Sequence, residues 1–255
     1  MAETVLVTGA AGGIGGAVAA RFVRDGHRVL GLDRDTPDLP GVTPLRADVT
    51  DEDQVASAVR AAEAAAGPVG VLVNCAGVTS GRPLHETPPD AWEAVLRVNL
   101  TSVYLVTRAV LPGMVEAGAG AVVTIGSVLH RTAAPGLPAY AAAKGAVAAL
   151  TRQLAVDYGR YGISFVTVSP GWVRTPATEA RLDGGSDDLD RLRQSNPLRA
   201  LCGPDRIADA VAFAASPAGA LLTGSELVLD GGASVVSPAS LLRDAHRERM
   251  GLGPL

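Results

Sequence analysis

The chain has 255 residues, 47% of them hydrophobic and 19% charged, a balance that supplies a sizeable core and excludes a disordered chain. With 22 Lys and Arg against 26 Asp and Glu the net charge is −4, and the one lysine is Lys144, so no basic run marks a nucleic-acid-binding surface. The two cysteines, Cys75 and Cys202, belong to no CxxC or His/Cys cluster, which excludes the usual patterns of a zinc site or disulfide framework and points to a reducing cytoplasm.

The opening MAETVLVTGA has no basic n-region and no long apolar stretch, so no signal peptide is expected. It runs directly into a strand at 4–9, then a glycine cluster, then a helix at 15–26 closed by Gly26. Strands follow at 27–33 and 42–49, and a helix at 51–67 with acidic residues in its first turn. Residues 69–77 read as a fourth strand, 91–118 as a long helical region, 120–127 as a fifth strand and 138–162 as a second long helix. A sixth strand at 163–171, a helix at 204–216 and a last strand at 225–232 complete the pattern. The most apolar segments carry Gly, Pro or charge within the length a membrane span needs, so no membrane partner is expected.

Strands apolar throughout, each followed by a helix, predict a doubly wound (Rossmann-like) parallel sheet of about seven strands with helices on both faces. No break in composition divides residues 1–255, which are read as one dinucleotide-binding and catalytic domain. The polar, Gly-broken segment 176–203 is an insertion, either a lid over a substrate or a solvated surface helix. The tail 233–255 contains a short helical pattern bearing both signs of charge, which either docks on a neighbouring subunit or frays.

VTGAAGGIGGA follows the first strand and opens the first helix, the place where such a sheet binds a dinucleotide. Gly9, Gly13 and Gly15 allow a sharp turn, and the helix N-terminus favours a pyrophosphate. Asp33 ends the second strand, where a carboxylate accepts hydrogen bonds from both adenosine ribose hydroxyls. It also repels a 2′-phosphate: two unit charges at 4 Å interact by about 4 kcal/mol at intermediate dielectric. NAD is therefore expected before NADP, although a guanidinium at Arg34 could hold a 2′-phosphate.

With these pieces placed, the chain from Thr4 to about Gly232 resembles the short-chain dehydrogenase/reductase family. TGAAGGIG (8–15) is similar to its cofactor turn, which implies contacts from Gly9, Gly12, Gly13, Ile14 and Gly15. DVT (48–50) resembles the segment where the Asp48 side chain and the Val49 amide meet adenine. NCAG (74–77) resembles the family's Asn-Asn-Ala-Gly, keeping Asn74, Ala76 and Gly77 but placing Cys75 at the second Asn. PGWVRT (170–175) resembles the loop over the nicotinamide, implying Pro170, Gly171, Val173 and Thr175 as cofactor contacts. Ser127 precedes Tyr140 by 13 residues, YAAAK (140–144) matches Tyr-x-x-x-Lys, and Asn99 matches the helix asparagine. Gly126 stands where many members have Ser, and Gly12 where NADP-preferring relatives often carry Arg or Lys.

The chemistry fits these residue types. A free phenol titrates near 10, so a phenolic base at neutral pH needs a cation nearby. Residues i and i+4 share a helix face, which puts Lys144 one turn from Tyr140. The resemblance implies that Lys144 also binds the nicotinamide ribose, that Ser127 orients the substrate oxygen, and that Asn99 anchors a water in a proton relay. Leu129, His130 and Trp172 are candidate substrate contacts, and Arg131 a candidate for an anionic substrate. The expected activity is hydride exchange between NAD(H) and a secondary alcohol or ketone. The alternatives are an NADP-dependent 3-oxoacyl thioester reductase and a nicotinamide-binding sensor without turnover. The resemblance further implies a small-molecule substrate and a homo-oligomer, tetramer or dimer; no metal is expected.

Overall fold

The central strands, built largely from Val and Leu with no polar face, must be covered on both sides, and that requirement organises the molecule. In the computed structural model, residues 3–182, 186–237 and 246–252 are described. Among them, seven strands form one parallel sheet: β1 (Thr4–Thr8), β2 (Arg28–Asp33), β3 (Val42–Arg46), β4 (Val69–Asn74), β5 (Gly120–Ile125), β6 (Ile163–Pro170) and β7 (Glu226–Leu229). Their spatial order is β3-β2-β1-β4-β5-β6-β7. The order reverses between β1 and β4, and the crevice beyond the carboxyl ends of those strands is the expected place for a ligand.

The helices are α1 (Gly13–Arg24), α2 (Glu52–Ala66), α3 (Pro89–Leu96), α4 (Ser102–Ala117), α5 (Pro138–Tyr158), α6 (Pro176–Glu179), α7 (Ser186–Gln194) and α8 (Pro204–Ala215). Alternate strand residues face opposite sides. On one face Leu6, Leu30, Leu72, Val122 and Phe165 join Val55 and Val59 of α2 and Val106, Val110 and Met114 of α4. On the other, Val5, Val7, Val71, Val123 and Val166 join Val18 and Phe22 of α1 and Ile207 and Val211 of α8. Each such side chain contributes about 1.5–3 kcal/mol on burial. The expected doubly wound architecture is thus observed.

The differences from the expected elements have local causes. α1 begins at Gly13, two residues early, because Gly12 serves as its N-cap. Strands β3 and β7 stop at Arg46 and Leu229, short of the expected 49 and 232, where Asp48 and Asp230 turn the chain by accepting nearby backbone N–H groups. The long helix expected over 91–118 is interrupted: a π turn, Arg97–Thr101, separates α3 from α4. The whole helical run Pro89–Ala117 is long and apolar enough to cross a membrane by composition, but half of its most apolar stretch is buried inside this protein. The 176–203 segment contains α6 and α7, and its residues 183–185 lie outside the described residues. The helix expected in the tail falls largely on 238–245, also outside them; residues 246–249 are helical.

Candidate active site

The turn after β1 sets the floor of the crevice. Gly9 has φ +69°, and a Cβ there would stand 2.8 Å from the Ala76 backbone. A Cβ on Gly15 would lie 2.1 Å from the Gly9 carbonyl oxygen, so only glycine lets α1 start this close to its strand. The Thr8 hydroxyl accepts the N–H groups of Cys75 (3.1 Å) and Ala76 (3.2 Å), tying this turn to the loop after β4. That loop is held through its backbone, which explains why Cys75 can replace an amide side chain. Burial pushes the Cys75 thiol up to about 12, so it stays protonated.

Above this floor is a cleft of about 850 Å3. Gly9, Gly12, Gly13, Ile14 and Gly15 line one end together with Asp33, Arg34, Asp48 and Val49. Ala76, Gly77, Asn99, Tyr140, Lys144 and Thr175 line the other. The donor set suits a dinucleotide: α1 has no side-chain cap, so its first-turn N–H groups remain available for a pyrophosphate. At the glycine end the Asp33 carboxylate is aimed by the Ala11 N–H at 3.0 Å and the Asp35 N–H at 3.3 Å.

At the far end, α5 carries Tyr140 and Lys144 into the cleft. Lys144 is only 4% exposed. Its Nζ donates to the Ile125 carbonyl at 2.8 Å and lies 5.6 Å from the centre of the Tyr140 ring. Burial lowers the Lys144 amine to about 8, against an ordinary 10.5. The cation that the phenol needs is thus held in a place where holding charge is costly.

Asn99 sits in the π turn, fully buried. Its amide nitrogen donates to the carbonyls of Val95 (3.0 Å) and Val78 (2.9 Å), and its oxygen accepts the Val78 N–H at 3.3 Å. It bonds its own helix, as a mid-helix asparagine can, and also braces the loop after β4. A Cβ on Gly77 would come 2.9 Å from this oxygen, so the bare glycine keeps that loop against the asparagine.

The remaining expected site residues, Thr175 excepted, flank the cleft and are not among its lining residues. Ser127 follows Gly126 beyond the end of β5, 7% exposed, with its hydroxyl accepting the Leu129 N–H at 3.2 Å. It caps a 3-10 turn, Val128–His130, that contains Leu129 and His130. The His130 ring turns inward, its Nδ1 2.6 Å from the Ser127 carbonyl oxygen. Asn74 is buried and donates to the Thr107 and Thr124 hydroxyls at 3.3 Å, joining β4 to α4 and β5. Pro170 ends β6; Gly171 packs on Asp230, which a Cβ would approach to 2.8 Å; Trp172 is partly buried. Val173 is buried and bridges to Cys202, while Thr175 caps α6 by accepting the Thr178 N–H. Arg131 pairs with Glu226.

Several contributors had gone unmarked. The Ile125 carbonyl, Thr178 and the cleft-lining Arg97 carry no motif of their own. Only Thr178 left a trace, as the fourth residue of a T-x-x-T capping pattern.

A parallel sheet whose winding reverses at a glycine-floored cleft, with a Tyr–Lys helix closing the far end, defines a dinucleotide-binding α/β protein. The chain belongs to the short-chain dehydrogenase/reductase family: residues 9–234 match the family described as enoyl-(acyl carrier protein) reductase. It is 39% identical over 246 residues to 2-(R)-hydroxypropyl-CoM dehydrogenase of Xanthobacter autotrophicus, covering 91% of this chain and 98% of that one. It is 35% identical over 245 residues to acetoacetyl-CoA reductase of Allochromatium vinosum, with 91% and 98% covered. The ligand-free aldohexose dehydrogenase of Thermoplasma acidophilum superposes with a TM-score of 0.89 at 31% identity, over 93% of this chain and 96% of that one. The protein is therefore an oxidoreductase of the dehydrogenase/reductase type, from a family that uses a nicotinamide cofactor and whose members act on small molecules.

Proposed function

We propose that the protein interconverts a secondary alcohol and its ketone with NAD(H), using Tyr140 as the acid/base. The observation that carries this reading is the buried Lys144 one helical turn from Tyr140, both lining the cleft. A nicotinamide held in the cleft would supply the hydride acceptor for oxidation and the hydride donor for reduction. In oxidation Tyr140 accepts the hydroxyl proton; in reduction it donates one to the forming alcohol oxygen. The Lys144 cation favours the phenolate, and Ile125 holds that cation in place. Ser127 orients the substrate oxygen by hydrogen bonding. Asn99 supports the proton path by keeping the π turn against the Val78 loop. The preference for NAD over NADP is supported by the Asp33 carboxylate, held by the Ala11 N–H where it would meet the ribose, and by Gly12, which offers no cation for a 2′-phosphate.

A second reading, reduction of a 3-oxoacyl thioester with NADPH, is supported by the acetoacetyl-CoA reductase among the relatives. One experiment separates the two: rates with a panel of secondary alcohols and NAD, beside acetoacetyl-CoA with NADH and NADPH. Faster turnover of acetoacetyl-CoA with NADPH than of any alcohol with NAD would replace the first reading with the second.

A further inference from the structure

Behind the cleft wall a buried carboxylate is joined to the segment that carries Ser127. Glu226 opens β7, beside Thr167 of β6, and its side chain is 7% exposed. Among the described residues, its Oε1 is one of two buried side-chain polar atoms with no hydrogen-bond partner, the other being Ser169 Oγ. Keeping a carboxylate there is costly, and an apolar side chain would fill the site more cheaply. Its other oxygen, Oε2, accepts from Arg131 Nη2. Arg131 Nε in turn donates to His130 Nε2 at 3.2 Å. That leaves the proton of a neutral imidazole on Nδ1, which donates to the Ser127 carbonyl oxygen at 2.6 Å. Donors and acceptors match along the whole chain: Glu226, Arg131, His130, Ser127. His130 Nε2 lies 3.4 Å from Glu226 Oε2, two acceptors that Arg131 bridges by donating to both.

The backbone shows what this holds. β5 ends at Ile125, and the Gly126 N–H donates to Val168 at 2.8 Å, the last sheet bond before the serine. Ser127 itself is extended (φ −168°, ψ 146°) and begins a three-residue turn. Its carbonyl accepts from both the His130 ring and, at 3.5 Å, the His130 backbone N–H, while its hydroxyl accepts the Leu129 N–H, so the ring bond, the turn and the serine side chain are tied together.

We propose that Glu226 is a positioning residue for Ser127, acting through Arg131 and His130. The inference rests on Ser127 orienting the substrate oxygen as described above, and it gives His130 a role other than substrate contact. Misplacing a group near the reacting atoms by about 1 Å can cost about 100-fold in rate, so partial loosening should cost about tenfold.

The test uses the full chain with Glu226→Gln, His130→Ala, the double variant and His130→Asn, whose amide can still donate to the Ser127 carbonyl. Each single loss should lower kcat about tenfold while KM for the alcohol and Kd for NADH stay within about twofold. The double variant should be no slower than the slower single one, and His130→Asn should recover part of the loss. A wild-type kcat in Glu226→Gln, or losses that multiply in the double variant, overturns the proposal. Nitrogen-15 histidine spectra give a readout without turnover, with four histidines to resolve. His130 should show the Nδ1–H tautomer, and its resonances should move in Glu226→Gln; unmoved resonances also overturn the proposal. A wild-type protein that oxidises no alcohol and reduces no ketone would fail the functional reading, while the spectra would still decide the linkage.

Discussion

The Lys144 ammonium lies 5.6 Å from the centre of the Tyr140 ring, one turn further along α5. The helix fixes this relationship, and the surrounding protein gives it force. Lys144 has lost nearly all its water and keeps one bond to a backbone carbonyl, so the charge is poorly screened where the phenol needs it.

Lys144 is the only lysine in the chain, so isotope-labelled lysine gives one side-chain signal. That signal should titrate near 8 in the cofactor-free protein. The folded value lies below the ordinary 10.5, so the unfolded chain holds its proton to higher pH. Below about 8 both states are protonated and the burial cost is felt in full. As pH rises from 8 towards 10.5 the folded state loses its proton first and the cost is relieved. The stability of the protein relative to a Lys144→Met variant should therefore increase over that window in urea unfolding. A midpoint near 10.5 would contradict the burial argument.

Tyr140→Phe removes the acid/base and keeps the ring. Turnover should fall by about 100- to 10,000-fold. NADH affinity, followed by fluorescence, should change by no more than about threefold, because the glycine turn and Asp33 remain. Retention of more than a tenth of the activity would remove Tyr140 from the proposed role.

Asp33→Ala removes the acceptor of the Ala11 N–H and the charge facing a 2′-phosphate, while Arg34 remains. The ratio of kcat/KM for NADP to that for NAD should rise about tenfold or more, since a like-charge contact of about 1.4 kcal/mol is worth that factor. An unchanged ratio would mean that Asp33 does not select the cofactor.

Gly126 is packed so closely that a side chain there would meet its neighbours. A Cβ there would sit 2.3 Å from Ser169 Oγ and 2.6 Å from Thr167 Cγ2. Gly126→Ser should destabilise the protein by about 1–3 kcal/mol through overpacking. Adding Ser169→Gly should recover part of that loss, measured by denaturant unfolding. Equal stability of wild type and Gly126→Ser would show that the Ser169 side chain moves aside freely.

The strands, the winding of the sheet and the glycine turn were legible because each is written locally. β1 declares itself by five consecutive residues that all become buried, and the turn after it by glycines within seven positions. The π turn at Arg97–Thr101 was not legible, since its sequence continues the helical pattern on both sides. It depends on Asn99 meeting Val78, on a loop 21 residues away.

The sequence alone determined the partnership of Tyr140 and Lys144, because 3.6 residues per turn place i and i+4 on one face whatever surrounds them. It equally determined that the first helix would open on bare backbone donors. Tertiary structure decided the rest: that Lys144 is buried against Ile125, that the Thr8 hydroxyl holds the loop with Cys75, and that Ser127 is linked through His130 and Arg131 to Glu226. Those contacts arise where strands distant in sequence come into register, and residue periodicity within one element carries no information about the register of another.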